Sequence, residues 1–363
     1  MHDLIIIGGG PAGTSAAITA ASEGAKVLLL ERGCLPRQKV CGEFVSAESL
    51  DLLKHLLAPE YSKILHEAIR IPSVRLFVDG RVLHAPIAPA AASIARFDLD
   101  SALWESAVEL GTEAIQQATV QAISGSGSFL VATSAGDFEA RAVINAAGRW
   151  SNLTLGNNGI AAGKWLGLKA HFAESSPPAS VDLYFFAGGY CGVQPAALAG
   201  AHLDTGRVNA CAMVRADMAN TLDKVFALHS ALQERSSRWR PLMEPVSTSP
   251  LIFREPQPER AGILMAGDAA GFVDPFVGDG ISLALRSGAL AAQSLSCFVC
   301  GRTSLAESVR SYRQQYEKQF APVFRASSGI RRMLLLPQAV RQPVLSFLER
   351  VPAVTRYLVS KTR

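Results

Sequence analysis

Three glycines near the N-terminus have the spacing of a phosphate-binding turn. Gly8, Gly10 and Gly13 follow the order G-x-G-x-x-G. The first glycine of such a turn permits the tight bend, the second lets the backbone approach a pyrophosphate, and the third lets helix and strand pack closely. A helix that begins there offers free N–H groups and a partial positive charge to phosphate oxygens. This spacing by itself is a weak signal, so the flanking elements must decide.

The residues on either side of the glycines predict those elements. Leu4 to Ile7 form a continuous apolar run, which is typical of a strand buried on both faces of a parallel sheet. Thr14 to Ala21 are mostly small residues and predict a helix, and a second apolar run ends at Glu31. An acid at this position can accept hydrogen bonds from the two ribose hydroxyls. Strand, glycines, helix, strand and acid in this order predict a dinucleotide site.

A second stretch with chemical potential lies near residue 270. The apolar run from Gly262 to Ala266 predicts a buried strand that delivers Asp268 at its carboxyl end, where ligands bind in doubly wound sheets. Pro275, Gly278 and Gly280 then lead into a predicted helix. The N-terminus of that helix could stabilise negative charge on a bound ring.

These motifs together resemble a branch of the FAD-dependent oxidoreductases that contains geranylgeranyl reductases, flavin-dependent halogenases and aromatic-hydroxylase-type monooxygenases. The resemblance covers about residues 1 to 300 and adds two further motifs, Arg96 before a predicted helix and the stretch Ala147-Gly148-Arg149-Trp150-Ser151. It implies an α/β fold with α+β elements, namely a glutathione-reductase-type Rossmann domain, a β-sheet substrate domain and a helical C-terminal cap. The expected FAD-binding domain comprises 1–72, 97–165 and 255–300, the substrate domain 73–96 and 166–254, and the C-terminal region 301–363.

The resemblance also implies which residues hold FAD. Glu31 would bind the adenosine ribose, Arg96 would lie along the pyrophosphate or ribityl chain, and Val120 would meet adenine through its backbone. Asp268 would hold the ribityl-phosphate end. The full set of expected cofactor contacts is Gly8, Gly10, Pro11, Ala12, Gly13, Glu31, Arg32, Cys41, Gly42, Arg96, Val120, Ala147, Gly148, Gly267, Asp268, Pro275, Gly278, Gly280 and Ile281.

Three residues are candidates for catalysis, and no metal site is predicted. Lys39-Val-Cys-Gly-Glu43 resembles the Cys-Gly loop of the prenyl reductases, which passes near the isoalloxazine ring. Cys41 could donate a proton and Glu43 could act as an acid or orient a partner, if burial shifts their pKa values. Tyr190 could bind a substrate oxygen. The structural alternatives are a small core residue for Cys41, a surface acid for Glu43 and a packed strand aromatic for Tyr190.

The sequence departs from the family pattern at two places. Ala147 stands where hydroxylases often carry an aspartate linked to nicotinamide use, so reducing equivalents would come from transient NAD(P)H docking or from a separate reductase or electron carrier. In Gly189-Tyr-Cys-Gly-Val-Gln-Pro195, Gly192 and Gln194 replace the bulky pair of the reductase and halogenase signatures. This replacement is expected to widen the wall above the flavin.

Three functions remain open at this point. The favoured one is a geranylgeranyl-reductase-like reductase that saturates C=C bonds in an apolar substrate, because of the Cys-Gly loop. A monooxygenase related to hydroxylases and halogenases, in which reduced flavin activates O₂, would suit the widened wall. The third is a flavin electron-transfer protein without its own substrate chemistry, which predicts no enclosed pocket beside the ring. Fold-level analogy does not separate these functions.

Composition and charge restrict the partners. Hydrophobic residues make up 49% and charged residues 18%, which excludes a disordered or fibrous chain. From Arg302 to Arg363 there are twelve Lys/Arg and three Asp/Glu, interleaved with apolar residues. Such a segment could contact an anionic membrane surface or cap the core. The expectation is a cytoplasmic protein with a small-molecule substrate, no nucleic-acid partner and no transmembrane helix.

Overall fold

The computed structural model describes residues 1–149, 153, 165–197, 206–249, 251, 253, 255–272, 274, 276, 278–334, 339–343 and 346. Pro275, Trp150 and Ser151, which belong to predicted motifs, lie outside these residues. The described part of the chain forms two sheets, with elements numbered here in chain order. The predicted α/β architecture of a Rossmann-type layer and a β-sheet layer is confirmed.

The first sheet contains the two N-terminal strands that the apolar runs predict. Five strands are parallel and lie in the order β17-β9-β1-β2-β6. The short β16 pairs antiparallel with β17, β8 pairs antiparallel with β9, and β7 lies beyond β8. The central strands are buried on both faces, which explains why their sequences do not alternate. The strands are β1 His2–Ile7, β2 Val27–Leu30, β6 Glu113–Ile115, β7 Val120–Gly125, β8 Phe129–Thr133, β9 Gly136–Asn145, β16 Glu259–Arg260 and β17 Ile263–Met265.

Helices cover this sheet and close its core. Gly288 lets its helix pack closely against the helix that contains Ala12, because a Cβ at residue 288 would lie 2.0 Å from the carbonyl oxygen of Ala12. Tyr312, Tyr316 and Phe320 recur every four residues and are buried on one helix face, as their spacing predicts. The helices are α1 Pro11–Ser22, α2 Ala47–Leu56, α3 Lys63–His66, α4 Arg96–Glu109, α7 Gly280–Val299 and α8 Leu305–Leu334. Among the described residues, no helix has the length and apolar character needed to span a membrane.

The second sheet has nine strands, most of them antiparallel. Asp79-Gly80 lies between two β-prone runs, a sequence pattern that predicts a hairpin. The long antiparallel pair β4–β5 confirms this hairpin. The two-residue edge strand Phe44–Val45 belongs to the segment 1–72, which is expected to lie in the FAD-binding domain. This segment therefore contributes strands to both sheets. The strands are β3 Phe44–Val45, β4 Ile69–Val78, β5 Arg81–Ser93, β10 Trp165–Ala173, β11 Val181–Phe186, β12 Gly189–Pro195, β13 Arg207–Arg215, β14 Arg240–Pro241 and β15 Val246–Thr248.

The outer face of the second sheet is covered by two short helices, α5 Leu222–Phe226 and α6 Ser230–Ser236. The sequence predicts one helix from Leu222 to Leu232, and that prediction is wrong about continuity. The chain becomes extended at His229, whose ring packs edge-on against Tyr184 with centroids 5.3 Å apart. This tertiary contact interrupts the helix.

Candidate active site

A cavity of about 760 Å³ is lined by residues of both sheets. Its volume falls within the usual range of small-molecule sites. Gly13 does not line it, and Pro275 lies outside the described residues. All the other predicted site residues line the cavity. They are Gly8, Gly10, Pro11, Ala12, Glu31, Arg32, Cys41, Gly42, Glu43, Arg96, Val120, Ala147, Gly148, Tyr190, Gly267, Asp268, Gly278, Gly280 and Ile281.

The glycine turn forms one end of the cavity and can hold no larger residue at two of its positions. Gly8 has φ +109°, and a Cβ there would lie 2.4 Å from the carbonyl oxygen of Ala146. A Cβ on Gly13 would lie 1.8 Å from the carbonyl oxygen of Gly8. Gly13 therefore acts by permitting strand and helix to touch, not by contacting a ligand. Gly10 precedes the first residue of α1, so the N-terminus of that helix opens into the cavity.

Glu31 is buried at the end of β2 and already has several donors. It accepts hydrogen bonds from the backbone N–H groups of Gly9 and Gly33, both at 2.8 Å, and from Arg37 at 2.7 Å. Burial opposes ionisation, but the Arg37 charge and the two amides outweigh it and lower the pKa of Glu31. A carboxylate has about four acceptor sites. Three are used, so Glu31 has room for about one ribose hydroxyl, not for both.

The cavity carries an excess of positive charge. Five Arg or Lys residues line the cavity against three Asp or Glu residues. The Nε atoms of Arg37 and Arg149 are buried and have no partner among the described residues. Burial, followed by the charges of Arg37 and Arg96, lowers the pKa of Lys39 to about 8. An anionic ligand would supply the acceptors and the charge that these groups lack.

Arg96 and Asp268 occupy the positions that the motifs predict. Arg96 is the first residue of α4 and forms a two-point ion pair with Asp100, with both N–O distances at 2.7 Å. Its guanidinium lies beside the glycine turn, 3.8 Å from where a Gly10 Cβ would be. Asp268 follows β17 at the carboxyl edge of the parallel sheet, and its Oδ2 lies 3.5 Å from Arg149.

The other end of the cavity is apolar and lies against the second sheet. Tyr190 on β12 is buried, and its ring packs against Phe185 and Phe276 with centroids 5.8 and 6.0 Å away. Burial raises its pKa well above the ordinary value, so its hydroxyl is neutral and able to donate. The apolar side chains that line this end are Phe44, Met213, Leu251 and Phe272.

Cys41 lies between the two ends of the cavity. Desolvation raises the pKa of its thiol, and the nearby Arg96 charge opposes this effect without cancelling it. The thiol is therefore protonated at neutral pH. The side-chain amide of Asn209 donates to the carbonyl oxygen of Cys41 at 3.0 Å and holds this backbone against β13.

Glu43 is not a surface acid, so the structural alternative for this residue is wrong. Its side chain is fully buried and contacts Lys169 Nζ at 2.5 Å and His171 Nε2 at 2.9 Å. Burial opposes ionisation of Glu43, but the His171 hydrogen bond and the Lys169 charge lower its pKa overall. Sequence reasoning missed Lys169 and His171. The available signal was a lysine and a histidine two residues apart, on the same face of an otherwise apolar strand.

The expected widening of the wall above the flavin is also wrong. Neither Gly192 nor Gln194 lines the cavity. A Cβ on Gly192 would lie 3.2 Å from Leu183 Cδ2, so a neighbouring side chain fills that space. Gln194 is buried and donates from Nε2 to Ser93 Oγ at 2.8 Å. The two replacements change packing behind the wall and not the room beside the ring.

Comparisons with known proteins agree with this geometry. A sequence profile described as FAD dependent oxidoreductase matches residues 3–49. The chain is 26% identical over 351 residues to digeranylgeranylglycerophospholipid reductase 2 of Methanopyrus kandleri, covering 89% of this chain and 84% of that protein. The chain is related to the FAD-dependent oxidoreductases. The predicted resemblance and the prediction of an FAD-dependent enzyme are thereby confirmed.

Two further known proteins are similar to this chain over most of its length. Menaquinone reductase of Mycobacterium tuberculosis is 27% identical over 325 residues, covering 81% of this chain and 76% of that protein. The structure of flavin-dependent brominase Bmp2 superposes with a TM-score of 0.79 at 19% identity, covering 99% of this chain and 93% of the brominase. The structural likeness establishes the shared fold.

The cavity of the oxidoreductase fits FAD. A phosphate-binding turn, the unpartnered buried Nε of Arg37 and an acid with room for a ribose hydroxyl lie along one end. An apolar chamber follows at the other end, where a flavin ring would lie beside Cys41 and Tyr190. When bound, FAD supplies two-electron redox chemistry at that ring.

Proposed function

We propose that this oxidoreductase reduces C=C bonds of an apolar, prenylated substrate. The observation that carries this proposal is the apolar end of the cavity, where two neutral proton donors, Cys41 and Tyr190, lie beside the expected ring position. Saturation of a double bond requires a hydride and a proton. An apolar chamber suits the substrate because it offers few polar groups that would be left unpaired.

Cys41 is the proposed proton donor. Its raised pKa keeps the thiol protonated at neutral pH, so the proton is available when the substrate binds. The Arg96 charge lies close enough to favour the thiolate that remains after donation. The Tyr190 hydroxyl would bind a polar head of the substrate, such as a carbonyl or hydroxyl oxygen.

Two relatives that align over most of this chain support reduction. They are named as reductases of digeranylgeranylglycerophospholipid and of menaquinone, and each aligns with more than four-fifths of this chain. Gly192 and Gln194 supported oxygenation in the sequence, but they do not line the cavity. The electron-transfer alternative predicts no pocket beside the ring, whereas the cavity continues along the second sheet.

We further propose that the reducing equivalents come from outside the chain, either from NAD(P)H that docks transiently or from a separate reductase or electron carrier. The basic C-terminal segment would bring the protein to the surface of a membrane that holds an apolar substrate. Most of the residues after 334 lie outside those that the structure describes, so this contact is proposed from charge alone.

The test uses FAD-loaded protein, reduced chemically and mixed without oxygen with a geranylgeranylated glycerophospholipid or with menaquinone. We expect mass spectrometry to show a gain of one H₂ per reduced double bond. Cys41→Ser should lower turnover by about 10²-fold or more while the flavin remains bound. The matched control is Cys297→Ser, which alters an exposed thiol on α7.

Two results would contradict the proposal. One is an oxygen-containing product that forms only in air, which would establish a monooxygenase. The other is full turnover by Cys41→Ser, which would remove the thiol from the reaction.

A further inference from the structure

A buried three-residue cluster behind the cavity has no role in the function described so far. Lys169 and His171 lie on β10 of the second sheet, and both side chains contact the carboxylate of Glu43. All three side chains have an exposed fraction of 1% or less. Glu43 ends the segment 38–43, which lines the cavity from Lys39 at the nucleotide end to Cys41 near the expected ring position. We call this segment the flavin wall.

We propose that Lys169 and His171 are positioning residues that act through Glu43 to fix the flavin wall against the ring of bound FAD. The proposal rests on the FAD site described above but not on which substrate is reduced. Neither side chain lines the cavity, so neither is expected to contact the cofactor or the substrate directly.

The contacts tie both ends of the flavin wall to the second sheet. Lys169 Nζ donates to Gln38 Oε1 at 2.9 Å and to Glu43 Oε1 at 2.5 Å. Asn209, which pairs with His171 across β13 and β10, holds the carbonyl oxygen of Cys41 between them. The wall follows β2 of the first sheet in the chain, yet its position is set by strands of the second sheet.

The backbone of Glu43 gives a second reason to expect a positioning role. Glu43 has φ +62°, a left-handed conformation that costs free energy in a residue with a side chain. Such a conformation persists when surrounding contacts determine it. Its carbonyl oxygen accepts from the amide of Ile94 at 3.0 Å, and its own amide points to Cys41 Sγ at 3.3 Å.

The cluster also has an electrostatic consequence for a ring bound beside the wall. Glu43 and Lys169 form a buried pair, and removal of one partner leaves an uncompensated charge in a poorly solvated place. The described charged and titratable groups that face Glu43 from the elements packed against it are Lys169, His171, Cys41 and Cys211. The backbone amide of Arg96 also donates to Glu43 Oε1 at 3.3 Å.

The test compares three variants in their binding of FAD, measured by titration of the folded apoprotein and by the visible flavin spectrum from about pH 5 to pH 9. Lys169→Met leaves Glu43 buried without its cation. We expect at least a tenfold loss of FAD affinity and a new pH-dependent change in the flavin spectrum, as Glu43 now titrates in this range. Glu43→Gln combined with Lys169→Met removes both charges and also the Lys169 contacts that tie the wall. It should abolish the spectral titration but restore the affinity only in part.

His171 is tested by a conservative pair. His171→Gln keeps an N–H donor toward Glu43, whereas His171→Leu removes it. We expect the glutamine variant to retain the FAD affinity and spectrum, and the leucine variant to lose affinity several-fold. Equal behaviour of the two variants would remove His171 from the proposal.

Lys54→Met is the control for removing a lysine. Lys54 forms an exposed ion pair with Asp51 on α2, and its loss should change neither FAD affinity nor the flavin spectrum.

An unchanged affinity and a pH-independent spectrum for Lys169→Met would overturn the proposal. If Lys169→Met does not fold, the charge-free double variant decides. A folded double variant that binds FAD more weakly than the wild type, with no spectral titration, supports the proposal, and near-normal FAD binding by this variant contradicts it. These measurements use no substrate, so failure to reduce a prenylated lipid would leave their outcome unaffected.

Discussion

The two ends of the cavity are built in different ways. The nucleotide end comes mainly from one contiguous stretch, in which the turn at Gly8, the start of α1 and Glu31 present backbone amides and one acid. The ring end combines side chains from distant segments, such as Cys41 and Tyr190, and Lys169 lies behind them against Glu43. Cofactor binding therefore depends on short-range spacing, whereas the reactive surface depends on how the second sheet docks on the first.

Their electrostatics differ as well. At the nucleotide end, the buried Nε atom of Arg37 has no partner among the described residues, and an anionic ligand would supply one. At the ring end, Glu43 is neutralised within the protein by Lys169. A substitution at the first end should thus change FAD binding. At the second end, a substitution of Cys41 or Tyr190 that leaves the Glu43 cluster intact should change substrate chemistry with FAD still bound.

Among the substitutions that distinguish the two ends of the cavity, Gly13→Ala at the nucleotide end should have the largest effect. Its Cβ would lie 1.8 Å from the carbonyl oxygen of Gly8, and backbone must move to relieve that contact. We expect a loss of about 3 kcal/mol in the free energy of unfolding and purification without FAD. Denaturant unfolding and the flavin content of the purified protein measure the two effects. Gly329→Ala on α8 is the control, because no atom lies within 4 Å of the added Cβ. A Gly13→Ala protein with normal FAD content would refute close packing at this turn.

Glu31→Gln should cost about 2 kcal/mol in the free energy of unfolding, because an amide NH₂ replaces an oxygen that accepts from backbone N–H or Arg37. The folded-state pKa of Glu31 is lowered, so its stabilisation is present above the unfolded value of 4.5 and is lost as the pH falls. The wild type should lose more stability below about pH 4.5 than the variant. Glu317→Gln breaks an exposed pair with Arg313 and should cost less than about 0.5 kcal/mol. Equal costs for both variants would contradict the buried network.

Lys39 should make FAD binding depend on pH. Its pKa of about 8 in the free protein should rise when an anionic ligand binds nearby, because the ligand favours the charged form. Affinity is then greatest below pH 8 and falls above it, by at most about tenfold per pH unit. FAD titrations between about pH 7 and pH 9 measure this, and Lys39→Met should show a flat profile. A flat wild-type profile would mean that Lys39 does not face the pyrophosphate.

The smallest expected effects come from two tyrosines, one away from the cavity and one that lines it. Tyr312 on α8 donates to the carbonyl oxygen of Met265 at 2.6 Å, away from the cavity. Tyr312→Phe should cost about 1 kcal/mol in the free energy of unfolding and leave substrate binding unchanged. Tyr190→Phe should leave FAD binding unchanged and raise KM for a substrate with a polar head by about tenfold. Steady-state kinetics measure KM and denaturant unfolding measures the stability of each variant. An unchanged KM for Tyr190→Phe would mean that Tyr190 only packs and does not bind the substrate.

The sequence by itself determined the parallel strands, the glycine turn, the acid at Glu31 and the position of Asp268. These features are local, because strand burial produces a continuous apolar run and a phosphate turn requires glycines at fixed spacing. The resemblance to FAD-dependent oxidoreductases followed from their order. The hairpin at Asp79-Gly80 was predictable for the same reason, since turn chemistry involves neighbouring residues.

The tertiary structure alone decided what the side chains at the ring end do. Whether Glu43 is a surface acid or a buried ion depends on Lys169, more than a hundred residues away in the chain. Gly192 and Gln194 lost their expected role because Leu183 and Ser93, on other strands, fill or bind the space around them. Burial and charge partners are properties of the packed sheets, and no spacing within one segment encodes them.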